Sequence, residues 1–276
     1  MKNNFFIKHE EKGIIYYTVP AFDQTGQVVH AFSGRKGGVS KGAFESLNLS
    51  ILTADAQENV RENRERFLRV LGIDQSSLVG AHQVHGDQIY RVTQADRGKG
   101  AYDPLTVIPG RDALITNEPG LALTAFFADC VPIFFLDPDK KAIGIAHAGW
   151  KGTVAKIAAK TVQALCDTYQ TVPGRLLAAV GPSIGPCHYQ VDKPVIDKVK
   201  EAFPADWQTL LSGCTADGHA QLDLWAANVL QLEQAGLSPG NITIAGLCTY
   251  CNSEVFFSHR QKMAGRQAAL IMLIER

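Results

Sequence analysis

Histidine and cysteine recur beside glycines and tight turns in one stretch of this chain. The segments are Ala81-His82-Gln83-Val84-His85-Gly86, Ala128-Asp129-Cys130-Val131-Pro132 and Ala146-His147-Ala148-Gly149-Trp150-Lys151-Gly152. Imidazole and thiolate are donors that zinc prefers. Three protein ligands leave a fourth position for water, whose pKa falls to about 7 on the metal. Cys130 and His147 lie 17 residues apart. That spacing suits two antiparallel strands joined at Pro138-Asp139, with their ends side by side. His147, set between alanines and ahead of a glycine, is unusual for a core position and reads as functional. Cys130 reads equally well as a ligand or as a buried structural thiol, the commonest fate of a free cysteine. His82 reads as a packed histidine behind the donors.

The elements that must position these residues follow from hydrophobic patterning and turn residues. Ile14–Val19 and Val28–Ser33 read as strands, followed by a glycine-rich loop, Ser33-Gly34-Arg35-Lys36-Gly37-Gly38-Val39-Ser40. Thr53-Ala54-Asp55 opens a helix near Asn59–Leu71, which Gly72 closes. Short apolar runs at Gln88–Val92, Ala113–Thr116, Leu121–Ala128, Pro132–Asp137 and Ala142–His147 are separated by Gly, Pro and Asp, as strands are. A helix is expected from about Val154 to Tyr169. A strand at Leu176–Val180, helices at Lys193–Ala202 and Leu222–Ala235 and a strand at Ile242–Gly246 complete the series. The tail, Arg266 to Ile274, fits helix or strand, since a short apolar run does not decide. Strands outnumber helices, and no regular βαβ rhythm or G-x-G-x-x-G is present. An α+β fold, with sheet packed under helices, is the expectation.

The 276 residues correspond to one or two domains, and no linker or repeat divides them. Apolar residues make up 46% and charged residues 20%, which excludes disorder, collagen and coiled coil. Lys+Arg and Asp+Glu both number 27, so the broad basic field of a nucleic-acid binder is absent. The first residues carry an apolar stretch too short for a secretory leader. The longest apolar run, Leu121 to Leu136, is interrupted by Asp129 and Pro132 and is too short for a bilayer span. The chain therefore reads as cytoplasmic, with no membrane partner. Its six cysteines read as free thiols or metal ligands rather than disulfides. Cys248-Thr249-Tyr250-Cys251 has no second cysteine pair at the spacing of a zinc knuckle, so these read as unpaired thiols. Cys166 and Cys214 carry no partner signal.

The strings Q-V-H-G (Gln83–Gly86), A-D-C-V-P (Ala128–Pro132), H-A-G-W-K-G (His147–Gly152) and G-P-S-I-G-P-C (Gly181–Cys187) resemble those of the YfiH/YlmD-like family. That family is known as laccase-like polyphenol oxidases and as multifunctional purine nucleoside enzymes. The likeness runs from about Arg35 to Arg266. It implies one α/β/β/α layered domain spanning residues 1–276, the YfiH-like cysteine hydrolase fold. It also implies zinc held by His85, Cys130 and His147. The activities implied are deamination of adenosine and phosphorolysis of adenosine, inosine, guanosine and methylthioadenosine. Purine nucleosides and phosphate would be the partners.

Deamination needs a group to carry a proton to the departing amine, and Asp129 or His82 is placed for this; the residues do not choose between them. Asp129 fits equally well as the partner of a ligand histidine. Phosphorolysis needs an anion site. Arg35 beside Gly37-Gly38, Lys151 ahead of a helix, and Arg260 and Arg266 in the Phe256–Gln267 stretch are candidate phosphate or substrate contacts. Asn48 in Ser46-Leu47-Asn48-Leu49 and Ser183 in the Gly181–Cys187 loop match family segments too. His188 departs from the family pattern, in which a second cysteine is common, and this weakens any role for Cys187. Three other readings compete. A copper phenol oxidase gathers its metals with His-x-His pairs; this chain has eight histidines and no such pair, although copper binds such a donor set adventitiously. A metal-free hydrolase would use Cys130 as nucleophile and His147 as base. A binding protein without turnover has no direct support.

Overall fold

Residues 131–137 and 142–148 are apolar at almost every position, so a sheet built from them must be covered on both faces. The computed structural model, which describes residues 5–274, shows how this is done. In chain order the elements begin with β1 (Ile7–Glu11), β2 (Ile14–Thr18), α1 (Pro20–Asp23), β3 (Val28–Ser33), α2 (Gln57–Leu71), β4 (Leu78–Gly80) and β5 (Ile89–Arg91). They continue with β6 (Ala113–Thr116), β7 (Ala122–Phe127), β8 (Val131–Asp137), β9 (Ala142–Ala148), α3 (Trp150–Val154), α4 (Ile157–Tyr169) and β10 (Leu177–Val180). They end with β11 (Gln190–Val191), α5 (Lys193–Ala202), α6 (Trp207–Leu210), β12 (Leu211–Ser212), β13 (Ala220–Leu222), α7 (Leu224–Gln234), β14 (Ile242–Ile244) and β15 (Gln267–Leu273).

Two six-stranded sheets carry the architecture, in spatial order β1-β2-β3-β15-β7-β4 and β14-β10-β8-β9-β6-β5. A three-stranded sheet, β11-β13-β12, stands beside them. Alternation sorts the side chains into layers. Phe134 and Leu136 of β8, with Ile143 and Ile145 of β9, pack against Phe32, Leu123, Phe127 and Ile271 of the first sheet. Ile133, Phe135 and Ala146, on the opposite face, pack under Ile157, Val162 and Leu165 of α4 and Ala227 of α7. Outside the first sheet, Phe67 of α2 covers Ile14, Ala31 and Ala268. The succession is helix, sheet, sheet, helices. Each fully buried Phe or Ile in the shared layer contributes roughly 1.5–3 kcal/mol relative to exposure.

Most expected elements are present. Helix α2 begins two residues earlier than its expected start and ends at Gly72, which takes φ +67 as a left-handed cap. β8 and β9 form the antiparallel pair, with Val131 opposite Ala148 and Pro132 opposite His147. Two expectations need correction, and one left open is settled. The helix placed at 154–169 is two helices, α3 and α4, parted at Lys156, whose φ of +66 cannot continue a right-handed helix. The stretch 222–235 opens as strand: Leu222 pairs with Leu211 before Asp223 caps α7 by accepting from the Ala226 N–H. The ambiguous tail is strand β15, held between β3 and β7. Among the described residues no helix is long and apolar enough to cross a membrane.

Candidate metal centre

Strand register builds the site. Ala113 of β6 lies opposite Ala146 of β9, so Asp112, one residue before β6, faces His147. On the other flank Val131 pairs with Ala148, so Cys130 arrives at the same end of β9. His147 shares the Ile143/Ile145 side of β9, which faces the first sheet, and its ring meets Phe127 at 5.4 Å between centroids. His85 comes from the loop after β4, with φ +60, and its ring stands edge-on to His147 at 4.8 Å. The donor atoms of His85, Cys130 and His147 all lie within 4.8 Å of one another.

Asp112 assembles this trio, and the sequence reading missed it. Its Oδ1 accepts from His147 Nδ1 at 2.8 Å and from the His85 N–H at 2.9 Å. Its Oδ2 accepts from the N–H groups of Gly86 at 2.8 Å and Val84 at 3.1 Å. Its carbonyl accepts the His147 N–H at 2.7 Å. One buried carboxylate thus folds the His85 turn into a cradle and fixes the His147 ring, leaving Nε2 to face the other donors. The motif strings point to the donors but not to Asp112. Gly110 and the short apolar run Ala113-Leu114-Ile115 after Asp112 were the local cues to a strand start.

Electrostatics follow from this packing. Burial alone pushes the Cys130 thiol up, but the imidazoles of His147 and His85 outweigh it and bring it down to about 6. Burial disfavours an imidazolium at His147, yet the Cys130 thiolate and the Asp112 carboxylate outweigh it and raise it to about 9. Burial likewise raises the Asp112 carboxyl, and the His147 ring and the Gly86 and Val84 N–H groups more than offset this, holding it below the usual range. The metal-free centre is therefore a thiolate–imidazolium pair beside a carboxylate.

The residues fit a metal. Two imidazoles and one thiolate converge, and a carboxylate orients one of the rings, the arrangement found behind ligating histidines. Gly149 leaves the space: a Cβ there would come within 3.0 Å of Cys130 Sγ and 3.1 Å of His85 Cδ2. The donors open onto two cavities of about 330 and 240 Å³, which share His85, Cys130 and His259.

The other expected site residues divide by position. His82 is exposed and lines the larger cavity, as does Arg266. Asp129 and Arg260 line the smaller one with Trp150 and Tyr189. Asp129 takes φ +85, and its carboxylate is occupied: Oδ1 accepts from Thr249 Oγ1 and Oδ2 from the Arg260 N–H, both at 2.7 Å. Asn48 is fully buried and works behind Arg266, whose N–H it accepts at 3.0 Å. Helix α2 holds Asn48 in turn, since Asn63 Nδ2 donates to the Asn48 carbonyl at 2.9 Å. Arg35, Lys151 and Ser183 line neither cavity. Arg35 donates to the carbonyls of Glu45 and Ser253 and stacks on Phe257. Ser183 accepts from Trp225 Nε1 at 2.6 Å. Lys151 is exposed, over the Trp150 ring. His259 lines both cavities, and no motif in the sequence singled it out.

Fold and site together define a mixed α/β protein with a His/Cys/His centre at the end of a buried strand. The family model described as multi-copper polyphenol oxidoreductase laccase matches residues 29–274, and the chain belongs to this laccase-like YfiH/YlmD family. A protein of Geobacillus stearothermophilus named purine nucleoside phosphorylase YlmD is 38% identical over 270 residues, 96% of each chain. The crystal structure of YlmD from that organism superposes with a TM-score of 0.92, covering 98% of this chain and 99% of that one. A Bacillus subtilis protein with the same name is 40% identical over 251 residues, 90% of each chain. A protein from an unknown prokaryotic organism, named adenosine deaminase RL5, is 32% identical over 241 residues, 87% of this chain and 91% of the relative.

Proposed function

We propose that the chain is a zinc-dependent purine nucleoside enzyme. It would deaminate adenosine to inosine. It would also cleave adenosine, inosine, guanosine and methylthioadenosine with phosphate, giving the free base and the sugar 1-phosphate. The observation that carries this reading is the His85/Cys130/His147 donor set at the junction of two cavities. The names of the relatives supply the substrate class. A zinc ion at these donors supplies a Lewis acid that brings a water's pKa to about 7.

The chain's own residues divide the remaining work. His82 is the better placed of the two proton carriers, because its side chain borders the larger cavity while the Asp129 carboxylate is committed to Thr249 and Arg260. Asp129 holds the 249–260 loop against Cys130. Arg266 and Arg260, one on each cavity, are the cations that meet phosphate. Asn48, Arg35 and Ser183 hold the loops behind them. Tyr189 and Trp150 offer flat apolar faces to a purine ring. A four-copper oxidase has far less support, since the trio gathers only two imidazoles and one thiolate.

The thiolate–imidazolium pair favours one other reading, a nucleophilic Cys130 with His147 as its base. Product analysis separates the two. Incubation with adenosine is expected to give inosine with or without phosphate, and free base plus ribose 1-phosphate only with phosphate. Untouched adenosine, or a covalent adduct on Cys130 seen by mass spectrometry, overturns the zinc reading.

A further inference from the structure

A second set of donors meets outside the His85 centre. Cys187, His188, Cys248 and Cys251 bring one donor atom each to within 4.8 Å of all the others. The sequence reading found no partner pair for Cys248 and Cys251 because the partner is Cys187-His188, 61 residues upstream of Cys248. A parallel bridge joins Ser183 to Cys248, and the Ser183 N–H and carbonyl bond Leu247 and Thr249, which lays the two loops side by side. Gly185 permits the approach: a Cβ there would stand 2.8 Å from the Trp225 ring and 3.3 Å from Cys187 Sγ.

The spacing is that of a coordination shell. Tetrahedral zinc, with Zn–S about 2.3 Å and Zn–N about 2.0–2.1 Å, has S···S edges of about 3.8 Å and S···N edges of about 3.5 Å. The Cys187 and Cys251 sulfurs are 3.6 Å apart, and His188 Nδ1 is 3.2 Å from both. A disulfide would bring the sulfurs to about 2.05 Å, so this pair is not bonded. Cys248 Sγ accepts the Gly185 N–H at 3.2 Å, which fixes it beside the other donors.

We propose that Cys187, His188, Cys248 and Cys251 form a closed Cys3His zinc site that staples the 183–190 loop to the 247–260 loop. Four protein ligands leave no open position, so the site is structural. Its consequence reaches the cavities. One stapled loop carries Tyr189, and the other carries Thr249, His259 and Arg260, which line the smaller cavity or hold Asp129. The inference stands independently of the proposed reaction.

The test is zinc stoichiometry by elemental mass spectrometry on protein purified under reducing conditions and equilibrated with buffered zinc. The wild type is expected to hold two equivalents. Cys130→Ala should hold one, and Cys187→Ser with Cys251→Ser should hold one. Both changed thiols are exposed, and Cys251→Ser alone serves if the double variant is insoluble. Cobalt(II) loaded into Cys130→Ala should show an intense thiolate-to-metal absorption that Cys251→Ser weakens. A Cys130→Ala protein that holds no zinc, a Cys187/Cys251 variant that holds as much zinc as the wild type, or a Cys187–Cys251 disulfide in the freshly isolated reduced protein overturns the proposal.

Discussion

Replacing Asp112 by Asn tests the architecture of the centre with a change of only one atom. The carboxylate accepts four hydrogen bonds, two on each oxygen. An amide keeps one acceptor oxygen and turns an NH2 group towards the other pair of donors. If the oxygen stays with His147 and His85, the N–H groups of Val84 and Gly86 lose their acceptor and face a donor. Each buried donor left unpaired costs about 1–3 kcal/mol. The exposed side of the His85 loop lets water recover part of this, so a loss of about 2–4 kcal/mol in folding stability is expected. The ring of His147 loses its charged partner as well, and such a loss typically weakens metal binding 10–100-fold. Urea unfolding reads the first quantity and zinc titration against a chromophoric chelator reads the second. A folded Asp112→Asn protein that binds zinc at the His85 centre within twofold of wild type would refute the argument that Asp112 assembles the site.

The other predictions concern groups around the same frame. Gly149→Ala places a methyl against Cys130 and His85 at a backbone position of ordinary φ −69, so metal occupancy should fall while the fold persists; full occupancy in the variant would contradict the close approach. Asn48→Ala removes the acceptor for the Arg266 N–H from a fully buried position, and should cost about 2–3 kcal/mol in chemical denaturation and raise KM; an unchanged unfolding midpoint would speak against it. Burial drives the His30 imidazole from its ordinary value to about 4, and Nε2 accepts the Val19 N–H at 2.7 Å. The unfolded chain takes up this proton near pH 6.5 and the folded chain resists it, so the stabilisation is complete above pH 6.5 and is lost as pH falls towards 4. The loss is at most about 3 kcal/mol, and His30→Gln should flatten that part of the stability–pH curve; the same slope in both proteins would exclude His30 as its source.

Local chemistry made much of this molecule legible. Cys130 and His147 were paired correctly because the 16 residues between them carry two apolar runs and one Pro-Asp turn, and register does the rest. Gly72 marked the end of α2 because only a left-handed residue fits there. The misses share one cause, namely that long-range pairing decides what local pattern leaves open. Strand β1 reads Ile7-Lys8-His9-Glu10-Glu11, a polar edge that is a strand only because β2 pairs with it. The tail is a strand because β3 and β7 offer it two edges. Asp112 looked like any loop aspartate until the chain returned 35 residues later with His147. Cys187 and His188 met Cys248 and Cys251 through a bridge that no spacing rule predicts. The expected phosphate residue Arg35 looked free in a glycine-rich loop, while in the fold its guanidinium is engaged by the carbonyls of Glu45 and Ser253.

The central claim is that zinc at His85, Cys130 and His147 is inseparable from nucleoside chemistry. The most direct measurement follows Cys130→Ala and His147→Ala proteins through two readouts at once, zinc content and conversion of adenosine to inosine by liquid chromatography and mass spectrometry. Both variants are expected to lose the metal of this centre and to lose deamination with it, while circular dichroism shows a retained fold. A Cys130→Ala protein that lacks this zinc and still produces inosine at the wild-type rate would contradict the account.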